Sequence, residues 1–120
     1  MQSIKEPTTE EAGVIYTATG ATAITKPEPG VQRQVLSFNP NLMMVRHTYE
    51  QGWKGARHSH PQSQMMYIVR GYVRLQAKGK SWKLRAGDSI IVDGGVEHET
   101  AALETSEVLD IFMPFREDYL

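Results

Sequence analysis

The chain has 120 residues, of which 40% are hydrophobic and 22% charged, as expected for one globular domain. Its 13 basic and 14 acidic side chains give a formal net charge of −1, so its charge does not favour nucleic acid or an anionic membrane as a partner. The absence of Cys excludes disulfides, thiolate metal sites and cysteine nucleophiles. The longest apolar run is far shorter than the ~18 residues of a membrane helix, and residues 1–7 lack the features of a signal peptide. We therefore expect a soluble, cytoplasmic protein.

The pattern along the chain predicts short β-strands separated by turn residues. Residues 1–12 are polar and acidic and are expected to form a mobile arm, and residues 26–30 (Lys-Pro-Glu-Pro-Gly) are expected to break the chain. Strands at intervals of ~8–12 residues, without a sustained helical period, are typical of an antiparallel sandwich or barrel. We predict an all-β fold, with residues 31–120 as one barrel domain and residues 1–30 as an N-terminal arm that could add strands. The predicted strands cover residues 14–17, 23–25, 31–38, 42–49, 54–60, 64–70, 72–77, 81–85, 89–92, 98–103 and 108–113.

Three of the histidines stand where they could bind one metal ion. His58 and His60 are two residues apart, so on an extended strand both side chains point to the same face. His98 stands near the start of a later predicted strand, after the glycines of residues 94–95. Imidazole nitrogens bind Zn, Fe, Ni, Cu and Co, and Mn less tightly. An isolated His-x-His pair is often only a surface feature, so the surrounding residues decide between the two interpretations.

The surrounding residues resemble the two sequence motifs of the cupin family. The first motif is Gly, five residues, His-x-His, three or four residues, Glu, six residues, Gly. The second motif is Gly, five residues, Pro-x-Gly, two residues, His, three residues, Asn. The spacing matches throughout, with Gln64 in place of Glu, Asp93 in place of Pro and Ala102 in place of Asn. The matching positions are Gly52, His58, His60, Gln64 and Gly71 for the first motif and Gly87, Asp93, Gly95, His98 and Ala102 for the second.

The cupin resemblance covers about residues 30–120 and implies a jelly-roll barrel, also called a double-stranded β-helix, with little helix. It implies one divalent transition metal (Ni, Zn, Mn or Fe) inside the barrel, with His58, His60, Gln64 and His98 as its ligands. Cupins commonly pair their barrels, so the resemblance also implies a homodimer.

Gln64 changes the charge expected at such a metal site. Three imidazoles and one amide are all neutral, so a divalent cation would keep its full charge, whereas a glutamate would reduce it by one unit. A more electron-poor ion is a stronger Lewis acid, attracts anions and is harder to oxidise. This ligand set favours the polarisation of an anionic substrate over oxygenase chemistry. The alternative interpretation of Gln64 is a degenerate site without metal.

The last predicted strand carries one acidic residue within an apolar run. Asp110 and Phe112 share one face by the period of two. If that face lines the barrel, the carboxylate could act as a general acid or base, and Arg116 could bind a substrate carboxylate at the barrel mouth. The residues alone leave an alternative open, in which Asp110 lies on a solvated edge and Arg116 pairs with Glu117 or Asp118.

Residues 109–120, together with residues 41–45 and the His-Ser-His-Pro…Gln order, are similar to KdgF-type pectin-degradation cupins. Members of that group convert 4,5-unsaturated monouronates, released by pectate or alginate lyases, to linear ketonised sugars. The resemblance implies that Asp110 and Arg116 are catalytic, that Phe112 and Arg116 contact the substrate, and that the substrate is a small anionic sugar. Two other interpretations stay open: another metallocupin enzyme, such as a dioxygenase or isomerase, and a non-catalytic sugar-binding cupin.

Several other residues are interpreted as structural. His47 stands outside both motifs and is predicted to be a packed or surface residue rather than a ligand. The adjacent pairs Met43–Met44 and Met65–Met66 are predicted to line the core and pocket rather than bind copper, because neighbours on a strand point to opposite faces. The basic residues between positions 70 and 85 are predicted to form a solvated outer face.

Overall fold

A computed structural model describes residues 8–120 as antiparallel β-structure with two single-turn 3₁₀ helices. None of the helices within residues 8–120 is long and apolar enough to cross a membrane. The 3₁₀ helices are Thr19–Ala21 and Glu117–Tyr119. The strands are β1 (Thr8–Glu11), β2 (Val14–Thr17), β3 (Ile24–Glu28), β4 (Val31–Asn39), β5 (Leu42–Tyr49), β6 (Ser63–Ala77), β7 (Lys80–Arg85), β8 (Ser89–Val92) and β9 (His98–Met113).

Two long strands, β6 and β9, lie at the centre of a seven-stranded sheet. The strand order is β3-β4-β5-β9-β6-β7, and β8 pairs with β6 beside β7. The β6–β9 pairing shifts register between Ile68 and Val73. Within that irregularity Gly71 has a φ of +104°, and a Cβ there would collide with Ser106. β6 pairs with β8 before Gly71 and with β7 after it. The sheet forms the jelly-roll barrel that the cupin resemblance implies.

The inward faces of the central strands supply an apolar core. Along β5 every second side chain is buried, from Met43 to Tyr49. Met66 is also buried whereas its neighbour Met65 is exposed, so the prediction that adjacent methionines point to opposite faces is confirmed for this pair. Some inward positions carry polar side chains instead, and these residues form the candidate site. The main apolar cluster consists of Val31, Tyr49, Met66, Ile68, Val73, Leu75, Leu84, Val92, Ala102 and Val108.

The N-terminal region differs from the expectation of a mobile arm followed by a break. Residues 1–7 of the predicted arm lie outside the described residues. Thr8–Glu11 forms β1 and pairs with β2, which agrees with the expectation that this region could add strands and not with a mobile arm over residues 8–11. The predicted break is confined to Pro29 and Gly30, because β3 continues through Pro27. An edge strand tolerates proline, since an outward N–H makes no ladder hydrogen bond. β3 joins the main sheet, and the division of the chain at residue 31 stays a prediction.

The prediction of a strand over residues 54–60 is also wrong. This segment makes only isolated bridges, Lys54 to Ala101 and His58 to His98. Gly55 interrupts it and Gly52 and Pro61 flank it, and such residues disfavour a continuous ladder. Conversely, the predicted strands leave out residue 71 and residues 104–107, but these residues belong to β6 and β9 in the structure. The two strands pair with each other along almost their whole length.

The basic outer face is confirmed. Arg70 lies by Glu107 and Arg85 by Glu104, and both arginine side chains are largely exposed. Exposed ion pairs of this kind add little to the free energy of unfolding. The main effect of these charged side chains is to keep the outer face solvated.

Candidate active site

The three motif histidines converge beside the start of β9. One ring nitrogen from each of His58, His60 and His98 lies within 4.8 Å of the others. Reciprocal backbone hydrogen bonds hold His58 against His98, with N to O distances of 3.0 and 2.9 Å. The His-x-His segment is therefore anchored to β9 although it forms no strand, and the spacing in the sequence becomes a triad in space.

Each ring of this triad uses Nδ1 to donate a hydrogen bond to a backbone carbonyl. A neutral ring that donates from Nδ1 keeps a lone pair on Nε2 for another partner. Burial lowers the pKa of His60 and of His98, which favours the neutral form of both rings. Neutral imidazoles oriented through the second nitrogen are the state in which histidines bind a metal. The Nδ1 bonds run from His58 to Ala56 at 2.9 Å, from His60 to Gln62 at 2.9 Å and from His98 to Val96 at 2.8 Å.

Gln64 places a fourth possible metal-ligand atom beside the triad. Its Oε1 lies 3.1 Å from Nε2 of His60, and its Nε2 donates to Oδ1 of Asp110 at 2.7 Å. The amide oxygen and the imidazole nitrogen therefore present lone pairs to each other. Neighbouring ligands of one cation are ~3 Å apart when each lies ~2.1 Å from the ion. The residues present thus fit a metal ion.

Asp110 lies inside the barrel and not on a solvated edge, with only 1% of its surface exposed. Its Oδ1 accepts from Gln64, and its Oδ2 lies 2.7 Å from Nδ1 of His47. The other ring nitrogen of His47 accepts a hydrogen bond from Nε of Arg33 at 3.1 Å. A guanidinium can only donate, so the His47 proton is on Nδ1 and is donated to Asp110. Both carboxylate oxygens are therefore held by donors.

A cavity of about 340 Å³ is lined by His58 and His98 of the triad, by Gln64 and by Asp110. At its rim Trp53 stacks on Tyr49, with ring centroids 4.2 Å apart and planes 1° from parallel. The indole Nε1 of Trp53 donates to Oε1 of Glu28 at 2.8 Å, so strand β3 also contributes to the rim. Flat aromatic walls with a few polar groups are typical of sites for small ligands.

Arg116 and Phe112, which the resemblance assigns to substrate contact, line the same cavity. The Arg116 guanidinium carbon lies 5.1 Å from the centroid of Phe112 and 4.3 Å from that of Tyr119. Arg116 also donates from Nε and Nη2 to the two carboxylate oxygens of Asp118, at 3.0 and 2.8 Å. The ion pair that the residues alone left open is therefore present, and it holds the guanidinium beside the cavity.

Sequence reasoning missed several residues of the cavity wall. His47 is packed, as one of its two predicted alternatives states, but it faces the cavity and holds Asp110. The detectable signal was its inward position in the alternating pattern of β5. Tyr49 carried the same signal in β5, whereas Arg33 and Tyr119 carried no comparable signal. Burial raises the pKa of both tyrosines, so their phenol groups stay protonated near neutral pH.

Comparison with known proteins places this site in a family. The cupin domain family matches residues 45–112, which is more than half of the chain. Pectin degradation protein KdgF of Dickeya dadantii (strain 3937) is 30% identical over 93 residues, covering 76% of this chain and 84% of that protein. The structure of KdgF from Halomonas sp. has a TM-score of 0.82 and 31% identity, covering 88% of this chain and 97% of that one. An RmlC-like cupin from Shewanella frigidimarina NCIMB 400 has a TM-score of 0.82 and 33% identity, covering 88% and 95%. The chain therefore belongs to the cupin family and resembles KdgF in sequence and structure.

Proposed function

We propose that this protein is a metal-dependent enzyme that opens the ring of 4,5-unsaturated monouronates and ketonises them to linear sugars. The observation that carries the proposal is the buried carboxylate of Asp110, which lines one cavity together with Gln64 and with His58 and His98 of the histidine triad. Similarity to KdgF proteins, one of which is named for pectin degradation, supports a uronate as the substrate.

The residues that would hold the metal, one of Ni, Zn, Mn or Fe, are His58, His60, His98 and Gln64. Bound to these neutral donors, a divalent ion would keep its full charge and supply Lewis acidity toward an anionic substrate.

Asp110 would move one proton from oxygen to carbon. When the ring opens, the C1 hydroxyl loses its proton to the carboxylate, the bond from C1 to the ring oxygen breaks, and C1 becomes an aldehyde. The former ring oxygen keeps that electron pair as the enolate at C5. As the enolate becomes a ketone, C4 takes the proton back from Asp110. The reaction is a balanced isomerisation without any co-reactant, and general acid–base catalysis of this kind contributes typically ~10²–10⁴-fold.

The cavity also offers positive charge for the substrate carboxylate. The guanidinium groups of Arg33 and Arg116 both line it. A guanidinium binds a carboxylate through two parallel hydrogen bonds, which gives orientation as well as affinity. Arg116 would contact the uronate carboxylate and Phe112 its ring, and the guanidinium would orient the substrate for proton transfer at Asp110.

We also propose that the protein is a homodimer, in line with the pairing of barrels in other cupins. Met65, Tyr67 and Ile91 are exposed on the outer face of β6 and β8, and Met65 is paired with Ile91 and with Ile111 of β9. Exposed apolar patches of this kind mark interaction surfaces. Light scattering should give twice the chain mass of 13.5 kDa, and a mass equal to one chain would contradict the dimer.

Proton NMR in D₂O tests the reaction. The metal-loaded protein should convert a 4,5-unsaturated monouronate to the open keto form with deuterium at C4. Asp110→Asn, assayed at saturating metal with its metal content verified, should lose most of this conversion, and the isosteric surface change Asp93→Asn should keep it. Binding of the sugar without conversion would favour a sugar-binding cupin, and oxygen consumption would favour a dioxygenase.

A further inference from the structure

We infer that Gln64 and Asp110 form a matched pair, in which the buried carboxylate is the reason that an amide stands at the ligand position where the cupin motif has glutamate. The inference rests on the proposed metal site but not on the proposed reaction. In this role Asp110 is a positioning residue for the Gln64 oxygen.

The side chain at position 64 must satisfy two different neighbours. One end must donate to Oδ1 of Asp110, only 2.7 Å away, while the other end presents a lone pair toward His60 at 3.1 Å. An amide has one donor end and one acceptor end, so it meets both demands. An ionised glutamate has no donor, and it would bring a second negative charge within hydrogen-bond distance of a buried carboxylate.

Asp110 also sets the orientation of the Gln64 amide. If the amide were flipped, its oxygen would face the Asp110 oxygen at the same short distance, and two acceptors would repel each other. Asp110 itself cannot turn away easily, because its other oxygen accepts from Nδ1 of His47, and the opposite ring nitrogen of His47 accepts from Arg33. Donors therefore point at Asp110 from both sides, and the Gln64 oxygen is left facing the histidines.

Substitutions in the pair should change which atom of residue 64 faces the histidines. In Asp110→Asn the new side chain must still accept from His47, so its amide nitrogen faces Gln64. Gln64 then flips to accept that hydrogen bond and turns its own NH₂ toward the histidines, which removes an oxygen from the metal site. In the exchange Gln64→Glu with Asp110→Asn, the asparagine nitrogen donates to the new carboxylate, and a ligand oxygen faces the triad again.

The test is a double-mutant cycle read by Zn²⁺ affinity and by the melting temperature of the metal-free protein, without any measurement of turnover. Asp110→Asn should weaken Zn²⁺ binding about 10–100-fold, the usual effect of losing a partner that orients a ligand. Gln64→Glu should lower the melting temperature of the metal-free protein by about 5 °C or more. The exchange of both should return the melting temperature to within about 2 °C of the wild-type value. It should also return Zn²⁺ affinity to at least the wild-type value.

Additive losses in the exchanged protein would overturn the pairing. If Gln64→Glu alone does not fold, the comparison of Asp110→Asn with the exchanged protein still decides, because the inference requires the second change to rescue the first. In a separate assay, absence of uronate turnover by the metal-loaded wild-type protein, with the rescue intact, would contradict the proposed reaction and leave the matched pair standing.

Discussion

The Nδ1 atom of His47 lies 2.7 Å from Oδ2 of Asp110, although the two residues are 63 positions apart in the chain. Strands β5 and β9 pair with Val45 opposite Asp110, so His47 lies diagonally across from the carboxylate on the same inward face. The register of β5 and β9 therefore places His47 against Asp110, and Asp110 is hydrogen-bonded to Gln64 beside the motif histidines. His47 and Asp110 both lie outside the two cupin motifs.

Replacement of His47 should lower turnover by loosening Asp110. His47→Phe removes the donor to the carboxylate, and we expect kcat to fall about tenfold or more with a smaller change in KM. His47→Asn keeps a donor close to the position of Nδ1 and should recover most of kcat. Steady-state kinetics of both variants make the comparison. Full kcat in His47→Phe would contradict the role of His47 as a donor to Asp110 and would mean that His47 acts only by filling space.

The stability of the metal-free protein should depend on pH through the buried histidines. Burial lowers the pKa of His60 and His98 below the ordinary value of 6.5, so near that pH the unfolded chain binds more protons than the folded chain. The free energy of unfolding should therefore fall as the pH decreases through about 6.5 and level off above it. Urea unfolding in the presence of a chelator measures this dependence, and His98→Gln should make it shallower. Stability that increases on acidification through this range would contradict the burial argument.

Arg116 should matter for substrate affinity more than for the chemical step. Arg116→Lys replaces a flat guanidinium, held by Asp118 over two aromatic rings, with a single ammonium group. We expect KM for the uronate to rise about 10–100-fold, the value of one or two charged hydrogen bonds, with a smaller loss of kcat. Arg70→Lys, which alters a largely exposed arginine on the outer face, is the matched control. An unchanged KM in Arg116→Lys would remove this residue from the binding site.

Two glycine substitutions separate steric collision from backbone strain. Gly71 and Gly79 both have positive φ, +104° and +73°, but a Cβ at Gly71 would collide with Ser106 whereas nothing lies near Gly79. Gly79→Ala should cost about 1 kcal/mol of unfolding free energy, and Gly71→Ala about 3 kcal/mol or more. Denaturant unfolding measures both. Equal costs would show that the register irregularity in β6 tolerates a side chain at position 71.

Structural features that depend on residues close together in the sequence could be predicted, whereas features that depend on the pairing of distant strands could not. The strand over residues 42–49 and the motif spacing of His58, His60 and His98 are read from the sequence itself, and the structure contains that strand and brings the three histidines together. The partner of Asp110 depends instead on the pairing of β5 with β9, which no local pattern specifies.

Long-range pairing also explains the errors in strand boundaries. Gly71 looks like a strand end in sequence, but pairing with β9 carries β6 through it, and the absence of a side chain there is what avoids Ser106. Residues 54–60 look extended and do contact β9, yet only at isolated bridges. The local sequence therefore indicates approximately which segments are extended. Pairing with the neighbouring strand determines where each strand begins and ends.

The measurement that tests the central claim most directly is the loss of the ultraviolet absorbance of the conjugated C4–C5 double bond in a 4,5-unsaturated monouronate. Metal-loaded protein, metal-stripped protein and Asp110→Asn at saturating metal are compared with the spontaneous reaction. We predict decay well above the background for the first, and decay near the background for the second and third. No acceleration by protein with verified metal content would contradict the assignment to unsaturated uronates.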